Sequence, residues 1–428
     1  MSMTSTGLWR QPDFRNLWLG QTSSMFAANM IAVMLPLLAT QLLDASVFEV
    51  GVLAAAGHLP YLLISLFAGV WLDRRPKRPT VALADALRAV LLVAIPVGWW
   101  QEWLSVPLLA ALAFLIGVCS VVSDIGSASL LPFLVDRDDL IEGNSKLELS
   151  ASASSIGGHA IAGAAFQFLT GPVAMVVNSV LFALSALFTG LIRKKEEPAE
   201  VEEGQSIWTD MAEGIRFVIG HVTVRTLILA TLIVNFFTAL AEPASLTFVT
   251  KTLGIAPVWV GVIFASSGAG ALLGAMLAGP ISARLPLGRL LILTSAVAAL
   301  ASLLTPLATF MPVPVAVALL VVMYTVDAAV IVVYNINVRA YRAAITPDAY
   351  QGRMNAAARM AVLSLVPVGV LLGGGLGMLV GVPWALALAS LGMFLSTVVL
   401  AASHIRRVER IPDLEPREPV ADVVREEG

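Results

Sequence analysis

The chain has little of what most chemistry uses. One cysteine, Cys119, stands alone in 428 residues, which excludes internal disulfides and cysteine-cluster metal sites. Its four histidines, His58, His159, His221 and His404, are scattered, without the spacing of a zinc-binding HExxH helix. Charged residues make up only 13% of the chain. No glycine-rich turn follows a strand pattern and opens a helix, so nucleotide binding and ATP-driven work find no support. Paired catalytic His, Ser or Asp motifs are missing as well, so neither an enzyme nor a cofactor is expected. The N-terminal stretch MSMTSTGLWRQPDFRN lacks a short apolar core with a cleavage site, and no cleaved signal peptide is expected.

What is abundant is apolar surface. Hydrophobic residues form 58% of the chain and the mean hydropathy is +0.87, more than a water-soluble core could hide. Runs of roughly 20 residues or more, long enough to cross a bilayer, recur at about 17–43, 48–72, 80–100, 104–126, 143–168 and 171–192. After a polar break they resume at about 224–250, 257–283, 288–309, 312–340, 357–380 and 382–404. The expectation is an all-α membrane protein with twelve spans in two six-helix bundles, over 1–193 and 222–405.

Charge placement orients the spans. Arg10, Arg15, the cations from Arg74 to Arg78, Arg137, Arg193 to Lys195, Arg284, Arg289, Arg342, Arg353, Arg406 and Arg407 all fall at one set of loops. The opposite loops hold Asp44, Glu49, Glu102 and the single cation Lys251. Cationic loops stay inside, so both termini are predicted in the cytoplasm. The break at 194–221 begins with the charged, Pro-interrupted RKKEEPAEVEEGQ, a solvated linker. Trp208, Met211, Ile215, Val218 and Ile219 then recur at helical spacing, predicting an amphipathic helix on the membrane surface. The tail from 406 to 428 is too charged to pack and is expected to be disordered.

The halves look duplicated. An offset of 210 sets Gly69 against Gly279 and Arg74 against Arg284, and an offset of 211 sets Asp124 against Asn335 and Asn144 against Asn355. Parallel six-helix repeats of this kind build one class of secondary transporter.

The short turn GVWLDRRPKRP packs Asp73, Arg74, Arg75, Lys77 and Arg78 between two apolar runs. With Gly69, this resembles the signature loop of the major facilitator superfamily, with Pro76 where glycine is usual. FRNLWLGQTSSMF, LPLLATQ, NSKLELS, ITPDAYQGRMNAAAR and PVGVLLGGGLG extend the resemblance over nearly the whole chain, toward the bacterial branch of macrolide-efflux and enterobactin-exporter-like proteins. The resemblance implies export of a drug, antibiotic or siderophore-like molecule by proton antiport and alternating access. It also implies that Asp73 caps the eleventh span near Tyr350 to Arg353 in the outward-facing state, with Arg74 and Arg78 in breakable salt bridges. The chain departs from the branch at Ala27 and Ala28, where a Gly-Asp pair is common, and at Gly158-His159-Ala160, where exporters usually have Gly-Pro-Gly.

Candidate site residues follow. Asp327, with no charge within ten residues on either side, sits near the middle of the tenth span. An intramembrane acid is costly enough to be read as functional, so Asp327 is the leading candidate for binding a proton or substrate. Glu242, followed by Pro243, and the polar Asn29 and His159 are further candidates. Each could instead be a hydrogen-bonded group between helices. Asp85 and Arg88, three apart on the third span, are expected to pair with each other or with Asp124 and the cations of the turn. Together with Gly69, Asp73, Arg74, Lys77 and Arg78 they form the candidate conformational latch. The expected partners are a small molecule, protons and the lipid bilayer of a bacterial cytoplasmic membrane, with no nucleic acid, and the chain is expected to act as a monomer. A uniporter or importer of the same fold, and a membrane scaffold that moves nothing, remain alternatives.

Overall fold

The computed structural model describes residues 7–73, 75–136, 139–194 and 207–409. Among these, the chain forms helices α1 (Pro12–Gln41), α2 (Val47–Asp73), α3 (Lys77–Trp100), α4 (Val106–Leu134), α5 (Leu140–Leu169), α6 (Gly171–Gly190) and α7 (Ile207–Gly220). They continue as α8 (Val222–Thr247), α9 (Pro257–Ser282), α10 (Leu287–Leu304), α11 (Val313–Ile345), α12 (Asp348–Val380) and α13 (Val382–Ala402). Helices are the economical answer to lipid, since every backbone N–H and C=O finds a partner inside the segment.

Local sequence marks the helix ends. Proline opens α1, α4, α6, α9, α11 and α13, where its missing N–H is not needed. Ser46 and Glu49 cap α2 reciprocally: the Ser46 N–H donates to Glu49 Oε2 at 2.8 Å and the Glu49 N–H donates to Ser46 Oγ at 3.3 Å. Pro243 lies inside α8 without ending it.

Eleven of these helices are long and apolar enough to cross a membrane. The exceptions are α7, short at 14 residues, and α5, whose length is ample at 30 residues. Its first half carries Glu142, Lys146 and Glu148, and its middle is Ser- and Gly-rich, because it packs closely against other helices instead of facing lipid alone. The fifth span, expected at 143–168, is therefore present as a helix but is less apolar than the other eleven.

The packing repeats. In the first half α1 lies against α5 and α6, α2 against α4, and α3 against α4 and α6. In the second half α8 lies against α12 and α13, α9 against α11, and α10 against α11 and α13. Asp124 and Asn335 fall on the corresponding helices α4 and α11, and Asn144 and Asn355 on α5 and α12. Within the second bundle, a Cβ at Gly274 would sit 2.3 Å from the Ala329 carbonyl oxygen and one at Gly270 would sit 2.2 Å from that of Thr325. Only glycine lets α9 and α11 approach this closely.

The linker helix α7 packs on α12 and α8, with Phe217 and Val218 against the cluster of Val224, Ile228 and Met354. Arg353 on α12 donates to Glu213 Oε2 at 2.6 Å. Ile215 and Ile219 stay exposed. Trp208 and Met211, read as part of its apolar side, have side chains outside the described residues. Of the tail expected to be disordered over 406–428 only 406–409 are described, where they are ordered, the Val408 and Glu409 carbonyls accepting from the Gly288 and Leu287 N–H groups.

The two bundles meet through α2 with α12 and α5 with α9. These crossings are closest near one end of the helices, the far face, opposite the α2–α3 turn. There Gly51 meets Gly374, Val47 meets Gly377 and Gly163 meets Gly261. The Gln167 Oε1 accepts from the Val258 N–H at 3.0 Å, and Lys251 Nζ donates to Asp44 Oδ1 at 2.5 Å and to the Ala45 carbonyl at 2.8 Å. The far face is sealed by these contacts.

Candidate functional site

Asp327 and Glu242, distant in sequence, line one cavity of about 230 Å³ inside the second bundle. Thr238 and Ser245 of α8, Phe264 of α9 and Tyr324 of α11 share its wall. The helical register explains the grouping. Thr238, Glu242 and Ser245 lie three to four residues apart on α8, as Tyr324 and Asp327 do on α11, so each set occupies one helix face. Asp327 Oδ1 is buried without a hydrogen-bond partner. A buried charge left alone is costly, so the unpartnered oxygen has an acceptor position open beside the cavity.

Glu242 also reaches across the seam. Its Oε1 lies 3.4 Å from His58 Nε2 on α2, and both side chains are about half exposed. Sequence alone marked His58 only as an ionisable group in an apolar span; its partner, 184 residues away, has no local signal. His159 on α5 stands at the other crossing, with its ring 6.5 Å from Phe264 of the cavity wall, and Phe264 meets Tyr324 edge-on at 5.5 Å. A chain of aromatic contacts thus runs from α5 to the Asp327 helix. Asn29 is turned to its own helix and to α5 instead, donating to the Met25 carbonyl at 2.8 Å, with its Cβ facing Gly158.

Asp85 and Arg88 pair with each other in the interior of the first bundle, not with the cations of the α2–α3 turn. Asp85 also accepts from Ser123 at 2.9 Å and from Ser185, while Arg88 donates to Ser24 at 3.2 Å and Ser120 at 3.3 Å and lies over the Phe182 ring. Arg88 Nε alone is buried without a partner, and the pair ties α1, α3, α4 and α6 together. Asp124 takes a different partner, accepting from the Tyr61 hydroxyl at 2.6 Å.

The α2–α3 turn lies at the end opposite Lys251. Arg78 donates to the Ile192 carbonyl, joining the turn to the end of α6. A Cβ at Gly69 would meet nothing within 4 Å, so no close packing holds that position to glycine in this conformation. Arg74 and the Asp73 side chain lie outside the described residues.

Two clefts open in the half nearer the turn, at equivalent places in the repeat. One, of about 370 Å³, is lined by Gln21, Ser24, Arg88, Asp124 and Asn144, with Ala28 at its edge. The other, of about 670 Å³, is lined by Asn235, Asn335, Arg339, Arg342, Asn355 and Arg359. The three arginines were not marked as a group by the sequence, since Arg339 and Arg342 stand on α11 and Arg359 on α12, and the two helices only border the same cleft. No group of three or more His, Cys, Asp or Glu residues that could hold a metal ion occurs among the described residues.

The sequence matches the model of the Major Facilitator Superfamily over residues 17–362. It is 27% identical over 387 residues to the multidrug efflux pump Tap of Mycobacterium tuberculosis, covering 88% of this chain and 90% of that one. It is also 27% identical over 376 residues to the Tap pump of Mycolicibacterium fortuitum, covering 83% and 87%. In fold it resembles a bacterial homologue of the iron transporter ferroportin in its inward-facing state, with TM-score 0.73 at 14% identity, covering 91% of this chain and 98% of that one. The nucleoside transporter NupG is similar too, with TM-score 0.69 at 11% identity over 91% and 98%. Helix order, internal repeat and family match agree, and the chain belongs to the Major Facilitator Superfamily, a family of membrane transporters and not of enzymes.

Proposed function

We propose that this transporter exports a small amphipathic molecule, of the drug, antibiotic or siderophore-like kind, across the bacterial cytoplasmic membrane in exchange for protons. The observation that carries this reading is the position of Glu242, which shares a cavity with Asp327 and also meets His58 across the seam. A group that senses a proton inside one bundle and contacts the other can couple titration to rocking of the bundles. The two acids are the proposed coupling site, with His159 at the second crossing. The similarity to efflux pumps supports the outward direction.

On this reading the cation-rich face is cytoplasmic, both termini lie there, and the conformation with its far face sealed is inward-facing. The turn with Gly69, Asp73, Arg74, Lys77 and Arg78 closes the cytoplasmic side in the opposite state. The segment 194–221 links two bundles, 1–193 and 222–405, that move as bodies in a monomer.

The test is uptake of a fluorescent efflux substrate into proteoliposomes, with and without an imposed pH gradient. Proton-driven accumulation that Asp327→Asn abolishes is the expected result. Flux indifferent to the gradient would identify a uniporter instead, and no flux of any compound would leave a scaffold.

A further inference from the structure

The larger of the two clefts has a charge that its repeat counterpart lacks. Arg339 and Arg342 of α11 and Arg359 of α12 line it together with Thr231, Asn335 and Asn355, and none of its lining residues is an acid. We infer that this cleft is a binding site for the anionic head of an amphipathic molecule, a carboxylate or phosphate group carried on an apolar body. The inference rests on the proposed export reading and deepens it by naming the chemical class of the substrate.

Four observations carry it. The volume, about 670 Å³, is in the range that holds a small ligand. Arg342 is held in place by its hydrogen bond to Asn355 Oδ1 at 2.6 Å, while its Nε is buried without a partner. Among the described residues neither Arg339 nor Arg359 makes a hydrogen bond or an ion pair. Three guanidinium groups around one cleft repel one another, and planar forks of this kind suit a carboxylate or phosphate.

The repeat shows that the scaffold does not need these charges. At the offset of 211 that aligns Asp124 with Asn335 and Asn144 with Asn355, the counterparts of Arg339, Arg342 and Arg359 are Ala128, Leu131 and Glu148. The first two line the equivalent cleft, whose Arg88 is neutralised by Asp85. Nor does retention of cations at the cytoplasmic surface account for all three. Arg342 is near the end of α11, but Arg359 lies well inside α12, roughly 16 Å along the helix from Asp348. Asp124, which lines the other cleft, acts electrostatically on Arg359. No ion pair joins them, and the Asp124 carboxylate is held by Tyr61.

The full-length protein in nanodiscs tests the assignment by equilibrium binding of a dansyl-labelled undecanoate and of its neutral methyl ester. The carboxylate is expected to bind about tenfold or more tightly than the ester. Arg359→Gln and Arg339→Gln should each erase most of that preference, and Arg359→Lys should keep most of it, with unchanged thermal unfolding in detergent confirming that the variants fold. Equal binding of acid and ester, or a preference untouched by both glutamine variants, would overturn the inference. Nanodiscs of phosphatidylglycerol and of phosphatidylcholine separate the sources. Binding alike in both assigns the site to a soluble anion, and displacement by phosphatidylglycerol assigns it to a lipid headgroup. Proton-driven export without anion preference sinks this inference alone, whereas anion binding without export sinks the transport reading and leaves the site.

Discussion

Glu242 faces two ways: its carboxylate stands 3.4 Å from the His58 imidazole of the opposite bundle and lines the cavity that holds Asp327. A pair this exposed contributes little to stability, so its value lies in which conformation it favours. His58→Gln should change unfolding by no more than about 1 kcal/mol. It should nevertheless raise the population of molecules open at the far face. Distances between spin labels placed on α2 and α12 near Val47 and Gly377 read this directly, and an unchanged distribution would remove the pair from the switching mechanism.

Asp327→Asn keeps the size and hydrogen-bonding capacity of the side chain and removes its titration. Membrane insertion and fold are expected to be intact, and proton-coupled transport lost. Full coupling in this variant, measured as proton uptake per substrate moved, would shift the role to Glu242.

Asp85 and Arg88 behave as a structural pair in the first bundle. Replacing one leaves the other buried and charged without its partner, expected to cost about 3 to 5 kcal/mol. Asp85→Asn should therefore lower the unfolding midpoint sharply, and a double variant that replaces both by apolar residues should recover much of the loss. Equal loss in single and double variants, followed by thermal unfolding in detergent, would contradict this account.

Two glycine contacts separate folding from switching. A Cβ at Gly274 would collide with the Ala329 carbonyl inside one bundle, and one at Gly163 would lie 2.4 Å from the Pro257 carbonyl between bundles. Gly274→Val should prevent folding. Gly163→Val should fold but fail to seal the far face, which cysteine accessibility from the outside would report as increased labelling.

Asp44 links the α1–α2 turn to Lys251 outside the spans. The hydrogen bond from the Lys251 ammonium, and then its charge, hold the Asp44 carboxyl below its ordinary value of 3.8. A lowered carboxyl pKa means that the contact is complete above 3.8 and fades as the pH falls through the lowered value. Sealing of the far face should thus be constant from pH 5 to 8 as far as this pair is concerned. High salt should weaken it, because the pair is exposed. Asp44→Asn should remove the salt sensitivity, as read from the same label distances.

The apolar runs determined the number and order of helices, because a chain in lipid has few other ways to satisfy its backbone. Prolines at helix starts and the Ser46–Glu49 cap were equally local. The run expected at 143–168 became α5, less apolar than the other spans because that helix spends its length on close contact with α9 and α1, which small residues serve better than apolar bulk. The repeat was visible as paired positions such as Asp124 and Asn335, and the packing gave it spatial meaning.

Ionisable residues in spans were conspicuous singly, since each is expensive in an apolar segment, and Asp327, Glu242, His58 and Arg88 could all be picked out one by one. Which of them touch was decided by tertiary structure alone. Glu242 meets His58 because α2 and α8 cross at the seam, and Arg339 and Arg359 share a cleft because α11 and α12 border it from different sides. Distance along the chain has no bearing on such contacts; the angle and depth at which rigid helices pack does.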